Sequence, residues 1–211
     1  MASEKMLMRR GDSGYDYAPK GYRRLKYVKT DGVARLYTGV PISTNNVKTV
    51  IYGQCTGYGS DTTYYRGVAA YATGYQYLRI GYIKNYSNAF GLEGAYSYPT
   101  GQRMQEPFKL ILNWKTTGLS FTIDGVTHYG TRNAVAGTTG ISIPSNTNTS
   151  EKQTGVPMIL TRIDVFVGSE LARRYIPMLR VSDNVAGFYE TVNGEFKESS
   201  STTPFTAGPE I

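Results

Sequence analysis

Between residues 108 and 130 apolar and polar side chains alternate with a period of two on both sides of two turns, a pattern that fits a pleated sheet with one buried face. Phe108, Leu110, Leu112 and Trp114 share one face, Thr116-Thr117-Gly118 turns the chain, Leu119, Phe121 and Ile123 repeat the alternation, and Asp124-Gly125 turns it again. The unit reads as an antiparallel meander with Trp114 in the core. Other strand-like runs lie at residues 47–55, 64–71, 75–83, 158–167, 171–181 and 185–197, the last bent at Asn193-Gly194, a pair suited to hairpin turns. About a dozen short strands at the ~8–12-residue spacing of sandwiches and jelly rolls are expected. Ser169-Glu-Leu-Ala172 could make one helical turn at most. Residues 137–155, rich in Ser, Thr and Asn with Val135, Ile141 and Ile143 as nearby anchors, read as a long polar loop.

With 211 residues the chain suits one large all-β domain, and 19 tyrosines and 24 glycines agree with strands joined by tight turns. No boundary divides residues 23–211. Residues 1–22 lack periodicity and carry turn chemistry at Gly11-Asp-Ser-Gly-Tyr15 and Ala18-Pro-Lys-Gly21, so they are expected to form an extended, basic N-terminal arm. The net charge is +7, and residues 1–30 hold Lys5, Arg9, Arg10, Lys20, Arg23, Arg24, Lys26 and Lys29 against Glu4, Asp12 and Asp16. A basic arm on a near-neutral body points to docking on an acidic surface. The anchoring candidates are Lys5, Arg9, Arg10, Tyr15, Tyr17 and Lys20; a nucleic-acid face on the main domain is not expected.

Several functions are argued against. No run approaches the ~20 apolar residues that span a bilayer, so no membrane is expected as partner, and the first ten residues lack the order of a secretory signal. Cys55, the one cysteine, lies in an apolar alternation and reads as a buried small hydrophobe. His128, the one histidine, gives no zinc cluster, and a triad of Asp124, His128 and a serine would have no positioned nucleophile. Among 16 acidic residues Glu195 and Glu198 come nearest to a glycosidase pair, but they follow a turn where a solvated edge is expected. The chain is therefore read as non-enzymatic and without a cofactor. Tyr58, Tyr64, Tyr65, Tyr71, Tyr75 and Tyr77, continued by Tyr82 and Tyr86, are candidates for a glycan platform, a subunit interface or a plain sheet surface.

Residues 25–46, opening Leu25-Lys-Tyr-Val-Lys-Thr-Asp-Gly32 and closing Val40-Pro-Ile-Ser-Thr-Asn-Asn46, resemble the first strand pair of concanavalin A-like, laminin-G-like jelly-roll domains found in gut bacteria and their phages. Residues 108–125, ending Thr122-Ile-Asp-Gly125, are similar to that family's central pair, and Thr161-Arg-Ile-Asp-Val-Phe-Val-Gly168 with Tyr175-Ile-Pro177 to its late pair. Ser182-Asp-Asn-Val-Ala-Gly-Phe-Tyr-Glu190, Asn193-Gly194 and Thr203-Pro-Phe-Thr-Ala-Gly-Pro-Glu210 resemble its closing hairpin and tail. Glu190 departs from the aspartate usual there, and residues 58–97 carry no match, so no ligand site is carried over.

The resemblance implies an all-β, antiparallel β-sandwich of the concanavalin A-like jelly-roll type. It leaves calcium as an option, with Asp61, Asp183 and Asn184 as loop candidates. The expected function is that of a bacteriophage structural protein, made in the host cytoplasm and displayed on the virion as capsid decoration, head fibre or tail component. Other virion proteins would be bound through the arm; self-association and contact with a host-surface glycan are expected as well. The alternative is a bacterial carbohydrate-binding module, at the cell surface or secreted, and the missing export signal favours the virion.

Overall fold

The computed structural model describes residues 18–42, 46–57, 66–73, 76–83, 106–115, 118–123, 125–130, 140–144 and 155–211. These hold fifteen strands and no helix. In chain order they are β1 (Tyr22–Arg24), β2 (Val28–Thr30), β3 (Leu36–Pro41), β4 (Val47–Cys55), β5 (Arg66–Thr73), β6 (Gln76–Ile83), β7 (Phe108–Lys115) and β8 (Gly118–Ile123). They continue as β9 (Val126–Tyr129), β10 (Gly140–Ile143), β11 (Met158–Val167), β12 (Glu170–Arg180), β13 (Val185–Glu190), β14 (Glu195–Lys197) and β15 (Thr206–Ala207). The larger sheet runs β14-β13-β12-β11-β4-β7-β8-β9, with β1 added to β12, β2 to β11 and β15 to β2. The smaller runs β3-β10-β5-β6. Every pairing is antiparallel, and the result is the expected β-sandwich.

The alternation read from the sequence becomes the inner face. Val47, Ile51 and Cys55 of β4, Leu110, Leu112 and Trp114 of β7, and Leu119, Phe121 and Ile123 of β8 are buried in one cluster with Leu36 and Val40 of β3 and Ile141 and Ile143 of β10. Two buried polar groups are satisfied inside it, as a dry interior requires. The Trp114 indole N–H donates to Thr49 Oγ1 at 3.3 Å, and the Tyr175 hydroxyl donates to the Thr38 carbonyl at 2.8 Å. The second bond joins β12 of one sheet to β3 of the other.

The structure sharpens some of these expectations and changes others. Residues 137–155 contain β10, because Ile141 and Ile143 anchor a short strand between β3 and β5. Residues 169–172 make no helical turn: Gly168, at φ 61°, reverses the chain into β12. Asn193-Gly194 lies in the expected hairpin, whose loop has four residues because Glu190 still pairs with Glu195. The buried Glu190 carboxylate accepts from the N–H of Val192 at 2.6 Å and of Asn193 at 3.1 Å, which holds that loop closed. Finally, Arg23, Arg24 and Lys29 lie on β1 and β2, with Lys26 between them, so most of the N-terminal positive surplus belongs to the sandwich. Residues 1–22 alone hold four cations against three carboxylates.

Candidate binding face

The arm joins the sandwich at a fixed place. The Tyr22 N–H donates to the Pro19 carbonyl at 3.0 Å and the Val181 N–H to the Gly21 carbonyl at 2.9 Å. From β1 onward the chain pairs with the C-terminal residues: Lys26 N–H to the Pro209 carbonyl at 2.8 Å, Ile211 N–H to the Arg24 carbonyl at 3.2 Å, and Arg23 to Glu210 at 2.8 Å. Tyr22 packs its ring 5.2 Å from Tyr189 and 5.3 Å from Phe196, and Arg180 covers Phe196 at 5.0 Å. Ile176 and Met178, in the same strands, are buried yet stand apart from the main core. This is a small second apolar layer, on the outward face of the large sheet, at the root of the arm.

Further across that face the register sets out an array of polar groups. Lys109, Tyr52 and Arg162 form one row over β7, β4 and β11, and Ile111, Val50, Asp164 and Arg174 form the next, reaching β12. Asn113, Lys48 and Phe166 make a third. Asp164 is 2% exposed and is gripped by two arginines: Arg162 Nε at 2.9 Å and Nη2 at 2.5 Å, and Arg174 Nε at 2.7 Å. The Arg162 guanidinium also lies 5.0 Å over the Tyr52 ring, with Lys109 at 5.7 Å from that ring and Lys48 at 4.1 Å over Phe166. Charge-assisted bidentate bonds and stacked rings fix these cations at little further entropic cost. Toward β9 the face turns neutral: Asn113 Nδ2 donates to Ser120 Oγ at 3.2 Å, and the Thr122 and Thr127 hydroxyls share a hydrogen at 2.8 Å. It ends at Tyr129, 71% exposed.

The residues singled out from the sequence fall elsewhere. Tyr58, Tyr64, Tyr65, Tyr75 and Tyr86, and Lys5, Arg9, Arg10, Tyr15 and Tyr17, lie outside the described residues. Tyr71 pairs with Leu78 and Tyr77 with Ala72, so the two residues belong to opposite faces of the β5–β6 pleat. Lys20 is exposed beside the start of β1. Of the calcium candidates Asp61 is outside the described residues, Asp183 accepts from Arg180 Nε at 3.0 Å and Nη2 at 2.6 Å, and Asn184 takes the positive φ of a turn. Among the described residues no group of three His, Cys, Asp or Glu could hold a metal. Glu195 pairs with Lys197 and Glu198 with Arg180, and His128 lies within β9 and stacks on Phe121. The sequence does not single out Asp164, because Arg162-Ile-Asp164 is plain alternation, whereas the register sets Arg174 opposite it.

No known family model matches this sequence, and no curated protein matches it. Among solved structures, the chain is similar to the full extracellular region of zebrafish Gpr126/Adgrg6, at a TM-score of 0.46 and 11% identity, over 90% of this chain and 26% of that one. The chain thus spans about a quarter of that neighbour's length.

Proposed function

We propose that the chain is a non-enzymatic structural protein of a phage particle, a jelly-roll domain displayed at the virion surface and anchored through its N-terminal arm. The observation that carries this reading is the arm's root. Residues 19–26 are tied to β12 and to residues 209–211 by main-chain bonds and covered by the Tyr22–Tyr189–Phe196 layer, so an arm held by a neighbour would set the orientation of the whole sandwich. A segment that orders on docking gives up conformational entropy at that moment, and a rigid junction keeps the loss to the segment itself. The described carboxylates nearest to a catalytic pair, Glu195 and Glu198, are engaged by Lys197 and Arg180, which supports display rather than hydrolysis.

The reading is tested by deleting residues 1–17. The shortened chain should keep its β-rich circular dichroism and cooperative unfolding, yet be missing from purified particles of the producing phage. Undiminished incorporation would overturn it.

A further inference from the structure

We infer that the outward face of the large sheet is a binding surface for an anionic polysaccharide, with Arg162, Lys109 and Lys48 taking the acidic groups and Asn113, Thr122 and Tyr129 the neutral sugar. The inference rests on the reading of this chain as a displayed, non-catalytic domain, and supplies what that domain would touch.

Three observations carry it. Charge comes first: among the described residues the rows over β7, β4 and β11, with Arg174 of β12, present Lys48, Lys109, Lys115, Arg162 and Arg174 against the carboxylate of Asp164, which lies beneath the two arginines, while Arg180 further along β12 is matched by Asp183 and Glu198. The field reaching solvent is therefore positive. Preorganisation comes next, because Arg162 directs Nε and Nη2 at Asp164 and rests on Tyr52, which holds its plane and leaves the Nη1 hydrogens for an outside acceptor. The third observation decides the chemical class. An acidic protein surface would be matched by the cations alone. This face continues instead into hydroxyl and amide groups and a largely exposed tyrosine ring, which suit sugar hydroxyls and the C–H face of a pyranose. With strands ~4.8 Å apart, the six from β9 to β12 span roughly 24 Å, long enough for several sugar units.

The test measures binding of the full chain to hyaluronan and chondroitin sulfate oligosaccharides by calorimetry, with dextran as neutral polymer and poly-L-glutamate as acidic polypeptide. At least one acidic polysaccharide should bind and dextran should not. Lys109→Glu with Lys115→Glu, both exposed, should weaken that binding about tenfold or more, and Lys109→Gln with Lys115→Gln should weaken it less. The charge-matched pair Lys20→Glu with Lys26→Glu, exposed at the arm's root and outside the β7–β4–β11 rows, should change it by less than about twofold. Tyr129→Ala should weaken the polysaccharide and leave poly-L-glutamate unaffected. Equal loss in the two charge-reversed pairs, poly-L-glutamate binding as tightly as the sugars, or no binding to either polysaccharide would each overturn the inference. The Lys109→Glu, Lys115→Glu chain should also enter particles normally; its exclusion would make this face an assembly contact, overturning the inference while leaving the display reading in place.

Discussion

Asp183 sits in an exposed turn, yet its side chain has little freedom. Arg180 donates to both carboxylate oxygens, and the Val185 N–H adds a further bond at 3.3 Å. The Arg180 hydrogen bond, followed by the backbone bond from Val185 and the Arg180 charge, holds the Asp183 carboxyl below the usual carboxylate range. A depressed folded pKa means that the stabilisation is complete above the unfolded value of ~3.9 and is lost as pH falls through the lower folded value. In a carboxylate-detected NMR titration Asp183 should therefore titrate below ~3.9, and rise toward that value in Arg180→Ala. An unchanged midpoint in the variant would show that the arginine is not the cause. A calcium ion at Asp183 would have to displace a guanidinium already held at 2.6 Å.

At the scale of the element, the β13–β14 hairpin shows how one glycine lets neighbouring strands approach. A Cβ at Gly187 would stand 2.5 Å from the Lys197 carbonyl oxygen and 2.7 Å from the Phe196 ring. Tyr22 and Arg180 hold that ring from two sides, so it has little room to withdraw. Gly187→Ala should therefore destabilise the domain by about 1–3 kcal/mol in urea unfolding, and a loss under about 0.5 kcal/mol would mean that β14 yields without cost. The turn itself could be read in the sequence because turn chemistry is local, whereas the support given by Glu190 could not, since a glutamate within an apolar run carries no mark of its loop contacts. The contrast holds elsewhere. Strand β4 is legible to the residue because five inward positions repeat along it, while β10 is not, because two isoleucines are too short a period. The Asp164 cluster depends on which strands become neighbours, and alternation within one strand says nothing about that. Charge misled for a related reason: cations near the chain start looked like an arm until β1 and β2 took their places in the sheet.

For the molecule as a whole, Cys55 offers a reading of how far the two sheets act as one cooperative unit. It ends β4, pairs with Met158 of β11, and is buried in the same cluster as Trp114 and Ile143, so reaching its sulfur requires that the inner face be opened. Burial also pushes the thiol pKa well up, so the native thiol is almost entirely protonated near neutral pH and a poor nucleophile even for a reagent that reached it. If the sandwich opens only as a whole, labelling of Cys55 is governed by the global unfolding equilibrium. Trp114→Ala removes the largest fully buried side chain and the donor to Thr49, which should cost about 3–5 kcal/mol. The rate of labelling under native conditions should then rise by about two to three and a half powers of ten, in step with the loss of stability measured by denaturant. Fast labelling of the parent chain, left unchanged by Trp114→Ala, would show instead that the β4–β11 end opens by itself. The sheet carrying the cationic face would then be no rigid platform, and the preorganisation claimed for Arg162 would fail with it.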